Sequence, residues 1–302
     1  MNESFRSIGE NTPKFNIKVM NNKETIDFIK KNHCSVSRFG DGELSIIEGN
    51  SASFETGDDS LRKKLYEIIK TPSNNHLLVC LNDIFDGLEK FTPTAREYWK
   101  KHLKSQQPFF EKLENLNNIY GSATVTRPYM DYQDRKEAKY IFDGFKDIWR
   151  EKDLLIVEGC YTRSGVNNDL FSTAHSVQRI ICPASNCWRK KNKIEKLIKK
   201  YGKGKIVLVM LGMTATVISS ELSNFTQIID LGHLDAEYDW FNMYATKKSQ
   251  LQGKHTPETH DFDIAPIKNK KYKKEIIVDI SHLFRIKNFF MGKAYAIYKK
   301  FK

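Results

Sequence analysis

Cysteine is scarce and unpatterned in this chain. There are five, Cys34, Cys80, Cys160, Cys182 and Cys187, and no two form a Cys-x-x-Cys pair. An odd number, with Cys34 and Cys80 inside apolar runs, argues against a disulfide framework and against a zinc site. Reduced thiols in the cytoplasm are expected. No apolar run approaches the ~18 residues of a membrane span. The opening stretch "MNESFRSIGENTPKF" has no apolar h-region, so no secretory signal is expected there. Gly-x-x-x-x-Gly-Lys-Ser/Thr is missing, which excludes a P-loop. No Gly-x-Gly-x-x-Gly follows an apolar run, which excludes the dinucleotide fingerprint. Internal repeats and low-complexity linkers are lacking too.

What the chain has is an ordinary core composition and an uneven charge. Of 302 residues, 40% are hydrophobic and 12% aromatic, enough for one large α/β domain. The net charge is +12, but residues 268–302 hold eleven Lys or Arg against Glu275 and Asp279. The rest of the chain is nearly balanced. A nucleic-acid binder would carry its basic residues on a face of the fold, so no nucleic-acid partner is expected. A basic tail is suited instead to an anionic surface.

Apolar runs with β-branched residues recur at 34–39, 76–81, 118–125, 153–159, 179–183, 205–211 and 227–232. Several are continuous, the mark of strands buried on both faces. Helical patterns lie between them at 23–32, 59–70, 93–104, 134–150, 189–202 and 214–225. The alternation predicts an α/β fold, Rossmann-like, with a largely parallel sheet and helices on both faces. Residues 249–275, broken by Pro257 and Pro266, read as a long loop. The boundaries expected are a main domain over 1–265 and a basic linker with an amphipathic helix over 266–302.

In such folds ligands sit beyond the carboxyl ends of the strands. Five polar clusters follow predicted strands. In "SRFGDGE", Asp41 and Glu43 are two apart, and in an extended segment both carboxylates would face one cation. Their oxygens suit Mg²⁺ or Mn²⁺, and Arg38 would offer a fork to phosphate. The competing reading is an Asp-Gly turn with solvated acids. In "CLNDIFDG", Asn82 would hold a base or ribose, or cap a helix. In "TVTRPYMDY", Arg127 is a diphosphate candidate or a surface arginine beside a turn. In "VEGCYTRSGVNNDLF", Arg163, Asn168 and Asp169 form a nucleotide- or sugar-binding loop or an ordinary capped connection. In "DLGHLDAEYDW", His233, Asp235 and Glu237 suit acid–base work beside aromatics, or cap a helix. "LGMTATV" adds Thr214 at a strand-to-helix turn, where a hydroxyl and a helix N-terminus favour an anion.

Taken in order, "SRFGDGE", "TRPYMDY", "VEGCYTRSGVNNDLF", "ICPASN", "LGMTATV" and "DLGHLDAEYDW" resemble the bacterial GT-D-type glycosyltransferases over most of residues 20–250. The resemblance implies a distinct Rossmann-like fold and transfer of a hexosyl group from a UDP-sugar to a glycan, glycoprotein or lipid-linked glycan hydroxyl. It implies a divalent metal, Mn²⁺ or Mg²⁺, on the Asp-x-Glu motif, here Asp41-Gly42-Glu43. One departure is Cys160, where a second acid is expected after "VEG". If transfer inverts configuration, a base must take the acceptor proton, and Glu237, then Asp235, are the candidates, with His233 positioning. In the tail, Leu283, Ile286, Phe290, Ala294, Ile297 and Phe301 form one helical stripe flanked by lysines. It reads as an interfacial helix within 276–302 for an anionic membrane, placing the protein peripherally on the inner face, or as a helix docked on the core. Two other functions fit the same residues: a metal-dependent phosphoryl or nucleotidyl transferase, and a non-catalytic sugar-nucleotide-binding partner of another transferase.

Overall fold

The computed structural model describes residues 12–52, 54–256, 267–282 and 284–285. Its strands are β1 (Lys18–Val19), β2 (Ser35–Phe39), β3 (Leu77–Leu81), β4 (Ile119–Ser122), β5 (Asp153–Gly159), β6 (Ser176–Cys182), β7 (Ile206–Met210), β8 (Ile228–Asp230) and β9 (Ile276–Asp279). They make one nine-stranded sheet in the order β1-β4-β3-β2-β8-β7-β5-β6-β9. Every neighbouring pair is parallel. A parallel sheet must be covered on both faces, and the sequence shows how: β3 reads LLVCL and β7 IVLVM, with every residue buried.

One face is covered by α1 (Asn22–Asn32), α6 (Glu137–Ile148) and α9 (Leu234–Asn242). Their Ile26, Ile29, Phe142, Phe145, Ile148, Leu234 and Trp240 join one core cluster with Val36, Leu78, Ile156 and Leu208 of the sheet. Each fully buried side chain of this kind contributes about 1.5–3 kcal/mol. The other face is covered by α2 (Asp41–Ile47), α3 (Asp59–Ile69), α4 (Pro93–Ser105), α5 (Gln107–Glu114), α7 (Lys191–Tyr201) and α8 (Met213–Glu221). Their ends follow local chemistry. Asn21 and Glu24 form a capping box at α1, Asp58 caps α3, and Thr92 with Pro93 starts α4.

The helices around β2 and β8 position the site. The chain leaving β2 enters α2 on one face of the sheet, and the chain leaving the adjacent β8 enters α9 on the other. Helices that diverge from neighbouring parallel strands open a crevice at their carboxyl ends, the usual ligand position in open α/β sheets.

Two stretches differ from their sequence expectation. Asp41–Ile47 is a helix and not an extended segment, because Gly40 serves as N-cap and Glu43 folds back onto its amide. Within 249–275, Lys270–Glu275 forms a short helix, α10, and β9 follows, pairing in parallel with β6. Tyr272 of α10 is buried, and Glu275 lies 2.7 Å from Arg179 of β6. The fold therefore runs past the expected boundary at 265, and residues 276–279 belong to the sheet edge. The tail stripe, Leu283 and residues 286–302, lies outside the described residues.

Candidate active site

The floor of the crevice is built around Arg38 at the end of β2. Its Nε donates to the Asp230 carbonyl at 3.0 Å, and its Nη1 to the Ala123 carbonyl at 2.9 Å. Its Nη2 lies 3.4 Å from Asp230 Oδ1. One guanidinium thus ties β2 to β8 and to the 3₁₀ turn Ala123–Thr126 after β4. These bonds turn Arg38 toward the protein's own acceptors and not toward a phosphate. Gly232 lies against it at φ +47, and a Cβ there would fall 1.8 Å from Arg38 Nη2. Asp230 was not singled out from the sequence. A lone acid closing the apolar run "IID" was the available signal. It is buried, and burial pushes its carboxyl up, with Arg38 opposing.

The two acids of the Asp-x-Glu motif do not share one side. They are the first and third residues of α2, and the helix turns them apart. Asp41 is exposed and its Oδ2 accepts from the Tyr98 hydroxyl of α4. Glu43 points inward, its Oε2 accepting from Gly40 N at 2.8 Å. Burial, with the like charge of Asp230 next, pushes the Glu43 carboxyl up to about 7. A buried carboxylate raised further by a second one is relieved by a cation. No group of three or more His, Cys, Asp or Glu side chains gathers into a metal cluster among the described residues. An oxygen-only set of one or two carboxylates, completed by substrate phosphates and water, is what Mg²⁺ or Mn²⁺ takes, so the residues present fit such an ion.

Across the crevice, Arg127 and His233 face each other, Nη2 to Nδ1, at 2.9 Å. Arginine only donates, so Nδ1 accepts and the imidazole proton sits on Nε2. Glu237, one turn further along α9, is wholly buried. Its Oε2 accepts from the amides of Tyr129 and Met130 at 3.0 and 2.9 Å, fixing the loop that carries Arg127. The expected proton acceptor therefore has no exposed oxygen and acts here by position. Three buried polar atoms of the surrounding segments have no hydrogen-bond partner among the described residues: Asn82 Nδ2, Thr126 Oγ1 and Glu237 Oε1. Asn82 stands just beyond β3.

The other expected residues form a separate, closed network. Asp235 Oδ1 accepts from Gly165 N at 2.7 Å and Asn168 Nδ2 at 2.8 Å, and its Oδ2 from Lys254 at 2.7 Å. Asn168 and Lys254 also reach Asp239, at 2.7 and 2.6 Å. With every oxygen so engaged, Asp235 is poorly placed as a base. Lys254 was not anticipated, because nothing local marks a loop lysine that folds in between two acids. Arg163 Nη1 donates to the Gly253 carbonyl at 2.8 Å, locking the same loop. Asp169 accepts from Lys146 and Tyr238 at 2.8 and 2.6 Å, fastening α6 to α9. At the start of α8, Thr214 is buried 3.4 Å from Glu55 Oε2, so a carboxylate of the chain itself stands where an anion was expected. Burial pushes the Glu55 carboxyl up to about 7.

A parallel α/β sheet with helices on both faces and a polar site where the helices diverge defines a protein of Rossmann-like type. The glycosyltransferase GT-D fold model matches residues 36–259, and the chain belongs to that family. It is similar to glycosyltransferase GlyD of Streptococcus pneumoniae serotype 4, 40% identical over 267 residues, covering 87% of this chain and 33% of that protein. It is also similar to the probable glycosyl transferase Gly of Streptococcus gordonii, 38% identical over 269 residues, 88% of this chain and 39% of that one. The chain thus spans a third to two-fifths of these relatives. A solved structure of the domain of unknown function 1792, described as having a distinct glycosyltransferase fold, superposes with a TM-score of 0.84 at 40% identity. That match covers 87% of this chain and 95% of the other. A glycosyltransferase from Streptococcus sanguinis gives a TM-score of 0.83 at 37% identity, covering 87% of this chain and 99% of that one.

Proposed function

We propose that this protein is a metal-dependent glycosyltransferase that moves a sugar from a UDP-sugar to a hydroxyl of a glycan or glycoprotein. The observation that carries this is the strand-end crevice between β2 and β8, which brings Glu43 and Asp230 together and sets the Arg127–His233 pair at the start of α9. Glu43, beside Asp230, would hold the divalent ion, and Asp41 would join it once its carboxylate leaves the Tyr98 hydroxyl; the ion's charge supports the departing diphosphate. Arg127 supplies a second positive charge for that diphosphate, fixed by Glu237 through the Tyr129–Met130 amides. Asn82, with its unpartnered Nδ2, meets the base or ribose. His233 donates from Nε2 to the donor or to the acceptor, orienting it. Asp235 and Asn168 hold the loop after β5 in register with α9. The basic tail within 286–302 brings the enzyme to an anionic surface that carries a lipid-linked acceptor.

The test is donor turnover. Purified protein is incubated with a panel of UDP-sugars, with Mn²⁺ or with EDTA, beside an Asp41→Ala, Glu43→Ala double variant. Metal-dependent release of UDP from one donor, lost in the variant by a hundredfold or more, is the expected result. UDP binding without release from any donor would instead favour a non-catalytic sugar-nucleotide-binding role. Absence of UDP binding would overturn the reading.

A further inference from the structure

A second concave site lies at the same carboxyl edge of the sheet, away from the crevice. It is a cleft of about 410 Å³ between the first turns of α3 and the turn that follows β6. Lys63, Lys64, Arg189 and Lys191 line it beside Ser60 and Trp188, with one acid, Glu67, among them. We propose that this cleft is an acceptor subsite for an anionic saccharide, its phosphate or carboxylate meeting Lys63 and Arg189 and its ring lying beside Trp188. The saccharide class rests on the transferase reading above. The anion does not.

Three observations carry the proposal. First, Trp188 is held in one orientation. Its Nε1 donates to Asp58 Oδ1 at 3.1 Å and Ser60 Oγ at 2.9 Å, and its backbone follows Asn186, a residue at φ +55. Asn186 is itself pinned, its N donating to the Phe54 carbonyl and its Oδ1 accepting from Thr56 N, both at 2.9 Å. Lys191 Nζ stands over that ring, 5.6 Å from its centroid, so the fixed indole also holds a cation in the cleft. Second, the cations of the cleft fall into two kinds. Lys64 is paired with Glu221 at 3.0 Å, and Lys191 with Glu195 at 2.8 Å and with Glu221. Lys63 and Arg189 are exposed, and no ion pair engages either among the described residues. Glu67 in the lining and Glu55 near Arg189 offset only part of this charge, and the cation excess beside a pinned indole selects an anion attached to a ring. Third, the cleft is linked to the strand ends of the sheet. The segment around Phe54 bridges them, its ring lying where a Cβ on Gly212, just beyond β7, would be.

The experiment titrates the full chain with glucose 6-phosphate, glucuronate and uncharged methyl glucoside, following the Trp188 indole N–H resonance, assigned from a Trp188→Phe variant. The same titrations are run on a Lys63→Ser, Arg189→Ser variant. Both positions are exposed, so the fold is retained, and urea unfolding confirms it. The charged sugars are expected to bind at least tenfold more tightly than methyl glucoside, and the double variant to lose that tenfold. The tighter of the two charged sugars names the acid group. Equal affinity for all three, or no loss in the variant, overturns the proposal. UDP is titrated in parallel. Its affinity should be unchanged in the variant, and a matching loss would assign the cleft to the donor and overturn a separate subsite. If no donor is turned over by the native protein, the transferase reading fails while the Trp188 titration still decides the cleft.

Discussion

At the scale of single residues, Gly232 and Arg38 are coupled by space. A methyl group at 232 would lie inside the Arg38 guanidinium, on a backbone at φ +47. Gly232→Ala is expected to cost about 1–3 kcal/mol in urea unfolding, the range for overpacking at a site with little room, and to reduce donor turnover by displacing Arg38. Glu43 gives a pH signature. Its carboxyl is raised to about 7 in the folded chain, above the ordinary value of 4.5 that it regains on unfolding. Between those values the folded state binds more protons, so this group's contribution to stability falls as pH rises through that window. Glu43→Gln keeps the cap on Gly40 and removes the ionisation. The variant should therefore lose less stability than the native chain between pH 5 and 8, followed by denaturant midpoint, and an equal slope in both would sink the assignment. The sequence showed Asp41, Glu43, Arg127 and His233 because each stands in a polar cluster after an apolar run. It hid Asp230 and Lys254, whose surroundings come from residues far away in the chain.

At the scale of elements, the strands were legible because parallel strands buried on both faces read as unbroken Val, Ile and Leu. Residues 153–159 were placed to the residue. Helix α2 was missed for a physical reason: its N-cap is glycine, with no side chain to announce it, and two acids around Gly42 look like a turn. Strand β9 was missed because "IIVD" is short and follows a lysine-rich run. What holds that edge is buried charge. Arg179 Nη1 lies 2.7 Å from Glu158 and its Nε 2.7 Å from Glu275, while the Tyr272 hydroxyl donates to Glu158 at 2.8 Å. Removing the cation strands a fully buried carboxylate. Arg179→Met should cost about 3–5 kcal/mol, and Glu158→Gln added to it should restore part of that loss in a double-mutant cycle. Additive effects would show that the three elements are not joined through this cluster.

At the scale of the whole molecule, the tail and the fold make separate predictions. A chain ending at residue 285 keeps α10 and β9 and should unfold at the same urea midpoint as the full chain. It should also lose sedimentation with phosphatidylserine vesicles if the basic tail carries membrane affinity. Unchanged sedimentation would remove the membrane role. The crevice has a further consequence for how the protein is made. Arg38 and Asp230 are 192 positions apart in the chain and adjacent in the sheet. Strands β2 and β8 are neighbours in the sheet, so neither wall of the proposed donor site has its partner until the eighth strand has been synthesised. A nascent chain can bury α1 and α6 early, but it holds no donor crevice before residue 230 has cleared the exit tunnel. A ribosome-bound fragment that stops short of β8 should therefore fail to retain UDP, whatever structure it has already formed.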